Sequence, residues 1–300
     1  MSAHELSFLY DPPTTRSRRR GRVATTIVVV AITGLVVAAA AQLASRGQLD
    51  AARWTPLLDP QILSYLGVGL RGTLLATAVV AVAAFPLGVA LAVGKVDRRP
   101  FVRRTCAVFI EVFRTIPVLL LIYVMLFALP RYGINPDLLW KLTIPLTIAN
   151  SAAIAEIVRA GIVSLPRGQS EAGLSLGMPH RTVMSAIVLP QALRAVTPSL
   201  VSQLASLLKD TSLGFVVAFT ELLYRAQVLT SFNRLLIQTY VVVTLVYLVV
   251  CGLLTALASR LRGRPTRTPG GHTTDALPMA PGPRPERSPS DPPTGQRDPW

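Results

Sequence analysis

Charged residues are scarce in this sequence. They make up 15% of the 300 residues, whereas hydrophobic residues make up 51% and the mean hydropathy is +0.49. Soluble globular domains carry about 25% charged residues, so this composition excludes an ordinary soluble domain of the same length. The membrane is therefore the expected solvent of the chain.

Cysteine and histidine, which form disulfides, bind metals and act in catalytic triads, are few in this sequence. The two cysteines, Cys106 and Cys251, lie far apart in or beside apolar stretches, which indicates packing residues rather than a disulfide framework or a metal cluster. The three histidines, His4, His180 and His272, lie in a terminus, a loop and a tail, so neither a zinc site nor a catalytic triad is predicted. A P-loop is also absent, because the nearest approach, "GVALAVGKV", has the wrong glycine spacing and ends in Val. We expect this chain to bind no cofactor and to carry no catalytic site.

Acidic residues are half as frequent as basic ones, 15 against 30, which gives a formal net charge of +15. The basic residues lie in short runs between apolar segments, without a basic helix face or interleaved aromatic residues, so we expect no nucleic-acid partner. Lys and Arg accumulate on the cytoplasmic side of membrane proteins, and here they predict both termini in the cytoplasm. The clearest runs are Arg18, Arg19, Arg20 and Arg22 before the first apolar stretch and Lys95, Arg98, Arg99, Arg103 and Arg104 after the second.

Six apolar stretches are long enough to span a bilayer, which requires about 20 residues. They are residues 23–44, 66–93, 106–129, 142–163, 196–219 and 236–259. The second is longer than a bilayer requires and contains Pro86, so we expect it to tilt, to kink or to begin at the surface. The pattern predicts an all-α integral membrane protein with about six transmembrane helices.

Both ends of the chain differ from this apolar body. Residues 1–22 predict a basic cytoplasmic tail, and residues 261–300, dense in Pro, Gly, Ser and Arg, predict a disordered cytoplasmic tail. The first apolar stretch, residues 23–44, has two interpretations. Its apolar run exceeds the 7 to 15 residues of a signal peptide and favours an uncleaved anchor, while cleavage would leave five helices with the same orientation.

The segment "EAGLSLGMPHRTVMSAIVLPQ", residues 171–191, is too polar and too rich in Gly and Pro to cross a bilayer. Ser170 is a candidate N-cap, and Gly177 and Pro179 are stop signals, so a helix of two or three turns is predicted on the cytoplasmic side.

This short helix has two predicted faces. Leu174 and Met178 lie four residues apart and form an apolar face, while Glu171 and Ser175 lie on another. Such a helix either docks into the groove of a partner protein or lies on the membrane surface, and the spacing alone fits both.

The same segment resembles the cytoplasmic loop signature of inner-membrane ABC importer permeases. That signature is Glu-Ala-Ala, three residues, Gly, nine residues, Ile, any residue, Leu-Pro. It is matched with all spacings kept at Glu171, Ala172, Gly177, Ile187, Leu189 and Pro190. Gly173 replaces the second Ala, which weakens a helix by up to about 1 kcal/mol. The resemblance implies that residues 168–178 form a coupling helix that contacts a separate ATPase subunit.

Flanking stretches narrow the family. "AIAEIVRAGIVSLPRGQSEAG", "LPQALRAVTPSL" and "LLKDTSL" resemble permeases of the polar amino acid group, which take up histidine, glutamine, glutamate or arginine. The likeness covers roughly residues 66–260. It departs from the group at Ser202 and Gln203, where Asn is frequent, and at Leu121, where Gln is frequent.

The resemblance implies a five-helix permease core within residues 60–260, with a coupling loop at 164–195 and the N-terminal helix as an addition. It also implies the partners: ABC ATPase subunits that bind ATP–Mg, a second permease subunit, identical or related, and an extracellular solute-binding protein. The expected cargo is a polar amino acid, with glutamate or glutamine favoured.

Several polar residues fall inside the predicted spans, where they mark either a transport pathway or contacts that hold helices together. Two acid–base pairs are three residues apart and can each meet on one helix face. Lys209 and Asp210 are adjacent and diverge around their helix. The candidates are Glu111 with Arg114, Glu156 with Arg159, and, in the fifth span, Ser199, Ser202, Gln203, Ser206, Lys209, Asp210 and Ser212.

For the charged pairs, a structural role is the favoured interpretation, and Glu156 with Arg159 is the expected brace above the coupling loop. The polar face of the fifth span is expected to look inward, toward a partner helix or a wet pathway.

Two other classes of function fit a polytopic chain. A secondary transporter would bind its coupling ion within the membrane, often at broken helices in repeated halves, and no internal repeat is visible in the sequence. A membrane scaffold that transports nothing would tolerate replacement of the polar residues of the fifth span. Neither class accounts for the loop signature.

Overall fold

The computed structural model describes residues 15–166 and 168–261, and within them every regular element is helical. The α-helices in chain order are α1 (Thr15–Ser45), α2 (Ala51–Trp54), α3 (Pro60–Lys95), α4 (Pro100–Thr115), α5 (Val118–Tyr123), α6 (Leu138–Ser164), α7 (Gly168–Ser175), α8 (His180–Thr182), α9 (Leu189–Asp210), α10 (Leu222–Asn233) and α11 (Leu236–Leu261). The tails predicted at the two ends fall largely on residues 1–14 and 262–300, which lie outside the described residues.

Five helices are long and apolar enough to cross a membrane, and a sixth span arises if one bent pair is counted as a single crossing. This confirms the predicted all-α membrane fold with about six spans. The long second span, α3, runs as one helix through Pro86.

The third predicted span, residues 106–129, is not one straight helix. It divides into α4 and the segment Val118–Tyr132, which meet at an angle of 92°. Pro117 lies at the break and favours it, because it has no amide hydrogen to donate and disfavours the helical region for the residue before it. Ile116 is accordingly extended, with φ −74° and ψ 124°.

The fifth span begins earlier than the predicted residue 196. It runs from α8 through a π-helical segment, Val183–Val188, into α9 and a 3-10 segment, Thr211–Val217. The second half of the predicted 164–195 loop is therefore the foot of this span. The segment between the fourth and fifth spans is thereby reduced to α7 and its short connections.

The core lies between α3 and α6, which form the most extensive helix pair of the structure. Gly88 permits their close approach, since a Cβ at this position would lie 2.7 Å from Ile154 Cγ2 and 2.8 Å from the Ser151 carbonyl oxygen. Small residues commonly mark such contacts in membrane proteins. The buried side chains around this pair include Val80, Leu142, Leu146, Ala155 and Val158.

A second, smaller cluster joins the start of α3 to α10 and α11. Glu221 is fully buried and caps α10, because its carboxylate accepts hydrogen bonds from the amides of Leu223 and Tyr224 and from the Tyr247 hydroxyl. Gly72 of α3 lies against the Thr220 carbonyl oxygen with no room for a side chain. This arrangement, with its extra helix α10, is not evident from the sequence pattern.

No residue in the apolar span of the N-terminal helix α1, Val23–Ser45, is buried in the described chain. The segment after its C-terminal end is attached to α11, since Gln238 Nε2 donates to the Gln48 carbonyl oxygen at 2.8 Å. Trp54 Nε1 donates to the same oxygen at 3.2 Å. The helix is thus tied to the bundle at one end and leaves its apolar surface uncovered by the described chain.

Candidate functional site

The short helix predicted between the fourth and fifth spans is present as α7. Its end is fixed by two hydrogen bonds, from the Met178 amide to the Gly173 carbonyl oxygen at 3.2 Å and from the Gly177 amide to the Leu174 carbonyl oxygen at 3.0 Å. Gly177 has φ +77°, so the stop is a Schellman motif with glycine at the left-handed position. The predicted N-cap is wrong, because α7 begins at Gly168 and contains Ser170.

The inner side of α7 packs against its own chain. Gly173 is buried, and a Cβ there would lie 2.9 Å from Val183 Cγ2 and 3.0 Å from Ile187 Cδ1. Leu174 and Met178 pack against the same core. The predicted apolar face, which fitted either a partner's groove or the membrane surface, therefore packs against this chain.

The outer side of α7 is exposed. Glu171, Ala172 and Ser175 lie on it, and Leu176, just beyond the helix end, is 83% exposed. An apolar side chain with so little cover beside a carboxylate and a small residue can dock into a complementary surface. The sequence pattern does not single out Leu176, because the four-residue spacing points to Leu174 and Met178.

The remaining residues of the loop signature hold α7 in place. Ile187 contacts Gly173, and Leu189 packs against the core. Gln191, next to Pro190 on the first turn of α9, donates to the Ile187 carbonyl oxygen at 2.9 Å and to Gln169 Oε1 at 3.3 Å. The foot of the fifth span and α7 therefore form one packed unit.

Above this unit, Glu156 of α6 carries two ionic partners. Arg159 Nε donates to Glu156 Oε2 at 2.9 Å, as the three-residue spacing predicts. Lys95 at the end of α3 pairs with the other carboxylate oxygen, a partner that lies too far away in sequence to be recognised. Glu111 and Arg114 of α4 are both exposed and form no ion pair within the described residues.

The polar face of α9 points away from the core of its own chain. Ser199, Ser202 and Lys209 are exposed, whereas Ser206 and Ser212 are partly covered. The exposed members are thus not covered by another helix of the described chain, and the two predicted neighbours, a partner helix or a wet pathway, remain predictions.

Lys209 and Asp210 diverge as predicted. The lysine is exposed, while the aspartate is partly buried.

Gln203 is the member of this group that binds another helix. Its Nε2 donates to Asn150 Oδ1 at 2.9 Å, and Asn150 Nδ2 donates to the Leu146 carbonyl oxygen at 2.9 Å. Sequence reasoning misses Asn150, since a single amide in an apolar span gives no periodic signal. The two amides line a cavity of about 420 Å³ whose other walls are mostly apolar, including Phe85, Pro86, Leu200 and Leu207.

Within the described residues, no group of three or more His, Cys, Asp or Glu side chains is placed to hold a metal ion.

Comparison with known proteins identifies the family and the fold. Residues 84–266 match the family described as "Binding-protein-dependent transport system inner membrane component". The chain belongs to this family. Its members are membrane permease subunits of ABC importers, so the chain is a multi-pass membrane protein of that class.

Two curated relatives are similar over most of their length. The Glutamate transport system permease protein GluD of Corynebacterium glutamicum is 40% identical over 223 residues, which is 73% of this chain and 82% of the relative. The Probable glutamine ABC transporter permease protein GlnM of Bacillus subtilis is 39% identical over 181 residues, which is 60% of this chain and 84% of the relative. The predicted amino acid permease family is thereby confirmed.

Solved structures agree. A crystal structure of an amino acid ABC transporter with histidines has 26% identity and a TM-score of 0.64, and the match covers 69% of this chain and 96% of that chain. An inward-facing MetNI methionine ABC transporter has 21% identity and a TM-score of 0.57, covering 68% of this chain and 97% of the other. The second likeness shows the shared fold.

Proposed function

We infer that this chain imports a polar amino acid, with glutamate or glutamine favoured, as one of two permease subunits that work with ATPase subunits and an extracellular solute-binding protein. ATP–Mg is bound and hydrolysed by the ATPase subunits. Both termini lie in the cytoplasm, and α7 faces the ATPase. The substrate class rests on the relatives, whose names specify glutamate and glutamine.

The coupling role is supported by one observation: one side of α7 is buried against its own chain, and the other side is exposed. Its inner side is fixed through Gly173 to Val183 and Ile187, and the segment Val183–Val188 continues directly into α9. A force applied to the outer side at Leu176 therefore reaches the foot of a transmembrane helix through close contacts. Such contacts transmit a displacement because a packed interface is not freely deformable.

The polar face of α9 supports a pathway beside this helix. Ser199, Ser202 and Lys209 are exposed within an apolar chain, and polar groups in membrane spans face a partner or water rather than lipid. A second permease subunit placed opposite this face would enclose a polar path between the two copies of α9. The hydroxyl and ammonium groups offer donors to the carboxylate of an amino acid.

A charged cluster next to this path holds two helices together. Lys95, Glu156 and Arg159 join the end of α3 to α6, which are the two helices that form the core. Glu111 and Arg114, exposed on α4, remain candidates for the pathway. Residues 23–44 act as a retained extra helix outside the core of residues 60–260.

The test is uptake by the reconstituted transporter. Proteoliposomes that contain this chain, the ATPase and the binding protein are supplied with labelled glutamate, glutamine, arginine or histidine. ATP-dependent accumulation of glutamate or glutamine in preference to the two basic amino acids supports the proposal. Accumulation that requires an ion gradient and no ATPase would instead favour a secondary transporter.

A further inference from the structure

Residues 97–104, which lead into the first turns of α4 and are called the basic turn, combine two features that the proposed transport function does not use. Arg98, Arg99, Arg103 and Arg104 are all exposed, and none of them forms an ion pair with the described part of the chain. Asp97 is the acidic residue of this turn, and its carboxylate accepts the Arg99 amide at 2.8 Å. The turn therefore presents several unpaired positive charges over a short surface.

An uncovered apolar strip runs up α4 from this basic turn. Phe101, Val108 and Val112 are 79%, 62% and 43% exposed, and their spacing of seven and four residues puts them on one side of the helix. This strip is separate from the face that packs inward through Ile110 and Phe113. One helix thus carries an inner apolar face, an outer apolar strip and a basic end.

The basic turn lies at the same end of the bundle as the coupling loop. Val96 and Asp97, which precede α4, line one cavity together with His180 and Arg181 of α8, which follows shortly after α7. The shared cavity shows that the two segments are close together, and this does not depend on the distribution of Lys and Arg along the chain. If α7 faces the cytoplasm, the arginines lie at the cytoplasmic surface of the membrane.

We propose that the surface formed by Arg98, Arg99, Arg103, Arg104 and the strip Phe101–Val108–Val112 binds an anionic phospholipid. The phosphate pairs with the guanidinium groups, which bind phosphate oxygens through paired hydrogen bonds, and an acyl chain lies along the strip. Charge complementarity selects the headgroup, and the strip favours a lipid over a soluble anion. The bound lipid lies beside Lys95 and so at the base of the α3–α6 brace.

The experiment measures lipid retention by the purified permease–ATPase complex in detergent. Native mass spectrometry follows the titration of phosphatidylglycerol, of phosphatidylcholine with the same acyl chains, and of inorganic phosphate as a separate arm. R103Q/R104Q and R98Q/R99Q remove two charges each. R46Q/R131Q removes two charges from exposed arginines outside the α4 surface and serves as the matched control.

The proposal predicts preferential binding of phosphatidylglycerol to the wild type. Affinity should fall about fivefold for each arginine removed from the α4 surface, with little change in the R46Q/R131Q variant. Phe101→Ser should weaken the binding of both lipids without altering the preference for the phosphatidylglycerol headgroup. Equal binding of both lipids, an equal loss in the control, or an effect of inorganic phosphate as large as that of the lipid would overturn it.

The ATPase is a competing partner for the same charges. If R103Q/R104Q releases the ATPase while phosphatidylglycerol binding is unchanged, the surface is a protein interface and the lipid proposal is wrong. Lipid retention is measured without transport, so its failure leaves the proposed import function untouched.

Discussion

Lys95 and Glu156 are 61 positions apart in the sequence, and their ion pair joins the end of α3 to α6. Arg159 binds the other oxygen of the same carboxylate, so Glu156 is shared between two cations. The side chains are only partly exposed, at 21% for Lys95 and 17% for Glu156. Removal of one partner from such a cluster leaves a charge without its counterion, which is more harmful than removal of both.

Glu156→Gln should therefore destabilise the protein by about 1–3 kcal/mol, since both Lys95 and Arg159 lose their counterion. The double variant Lys95→Met/Glu156→Gln should lie closer to the wild type than Glu156→Gln alone. Thermal unfolding in detergent of the wild type, Lys95→Met, Glu156→Gln and the double variant gives the coupling energy of the two sites as a double-mutant cycle. Additive effects of the two substitutions would show that the pair does not act as a unit.

Gly177→Ala should weaken the end of α7. The residue has φ +77°, and a Cβ added there would meet nothing within 4 Å, so backbone strain of about 1–2 kcal/mol is the expected penalty. Retention of the ATPase on the purified permease is the measurement. Gly168→Ala is the control, because that position also has open space and lacks a positive φ, and it should retain the ATPase fully.

The location of α7 can be predicted from sequence, but its orientation cannot. Gly177 and Pro179 act locally, since one permits a left-handed residue and the other cannot continue a helix. Whether Leu174 or Leu176 faces outward depends on contacts with Val183 and Ile187, which no local pattern specifies. The bend at Pro117 escapes prediction for a related reason: an averaged apolar stretch conceals a single backbone break.

Side-chain contacts between different helices likewise cannot be predicted from the sequence. Glu156 and Arg159 are one turn apart and are paired correctly by their spacing, whereas the roles of Lys95 and Asn150 depend on the packing of α3, α6 and α9. The family can be assigned from sequence because several short motifs occur in the same order and spacing. Those motifs constrain the fold far more than composition does.

Gly173→Ala should loosen the contact between α7 and the foot of the fifth span. The new Cβ would lie 2.9 Å from Val183 Cγ2, too close for a branched side chain to accept without a shift of the helix. Substrate-stimulated ATP hydrolysis by the assembled transporter should fall. The double variant Gly173→Ala/Val183→Ala should recover much of it, and a double variant no better than the single one would contradict the packing argument.

Gln203→Leu should remove the bond between α9 and α6 and leave the Asn150 side-chain oxygen without a partner. The expected loss in the free energy of unfolding is about 0.6 kcal/mol, the average for hydrogen bonds between membrane helices, and at most about 1.7 kcal/mol. Ser202→Ala, one residue away on the exposed side, should leave stability unchanged. If Gln203→Leu keeps its stability but lowers uptake, the amide contacts the substrate path rather than bracing the helices.

In the proposed mechanism, the exposed outer side of α7 couples an ATPase to transport. Leu176→Glu places a charge at the most exposed apolar position of this loop, and Leu58→Glu, at a leucine that is 71% exposed in a different segment, is the control. Co-purification of the ATPase and ATP-driven uptake of labelled glutamate and glutamine are measured for both. The account predicts that Leu176→Glu loses the ATPase and the uptake while Leu58→Glu keeps them; full ATPase binding and uptake by Leu176→Glu would contradict it.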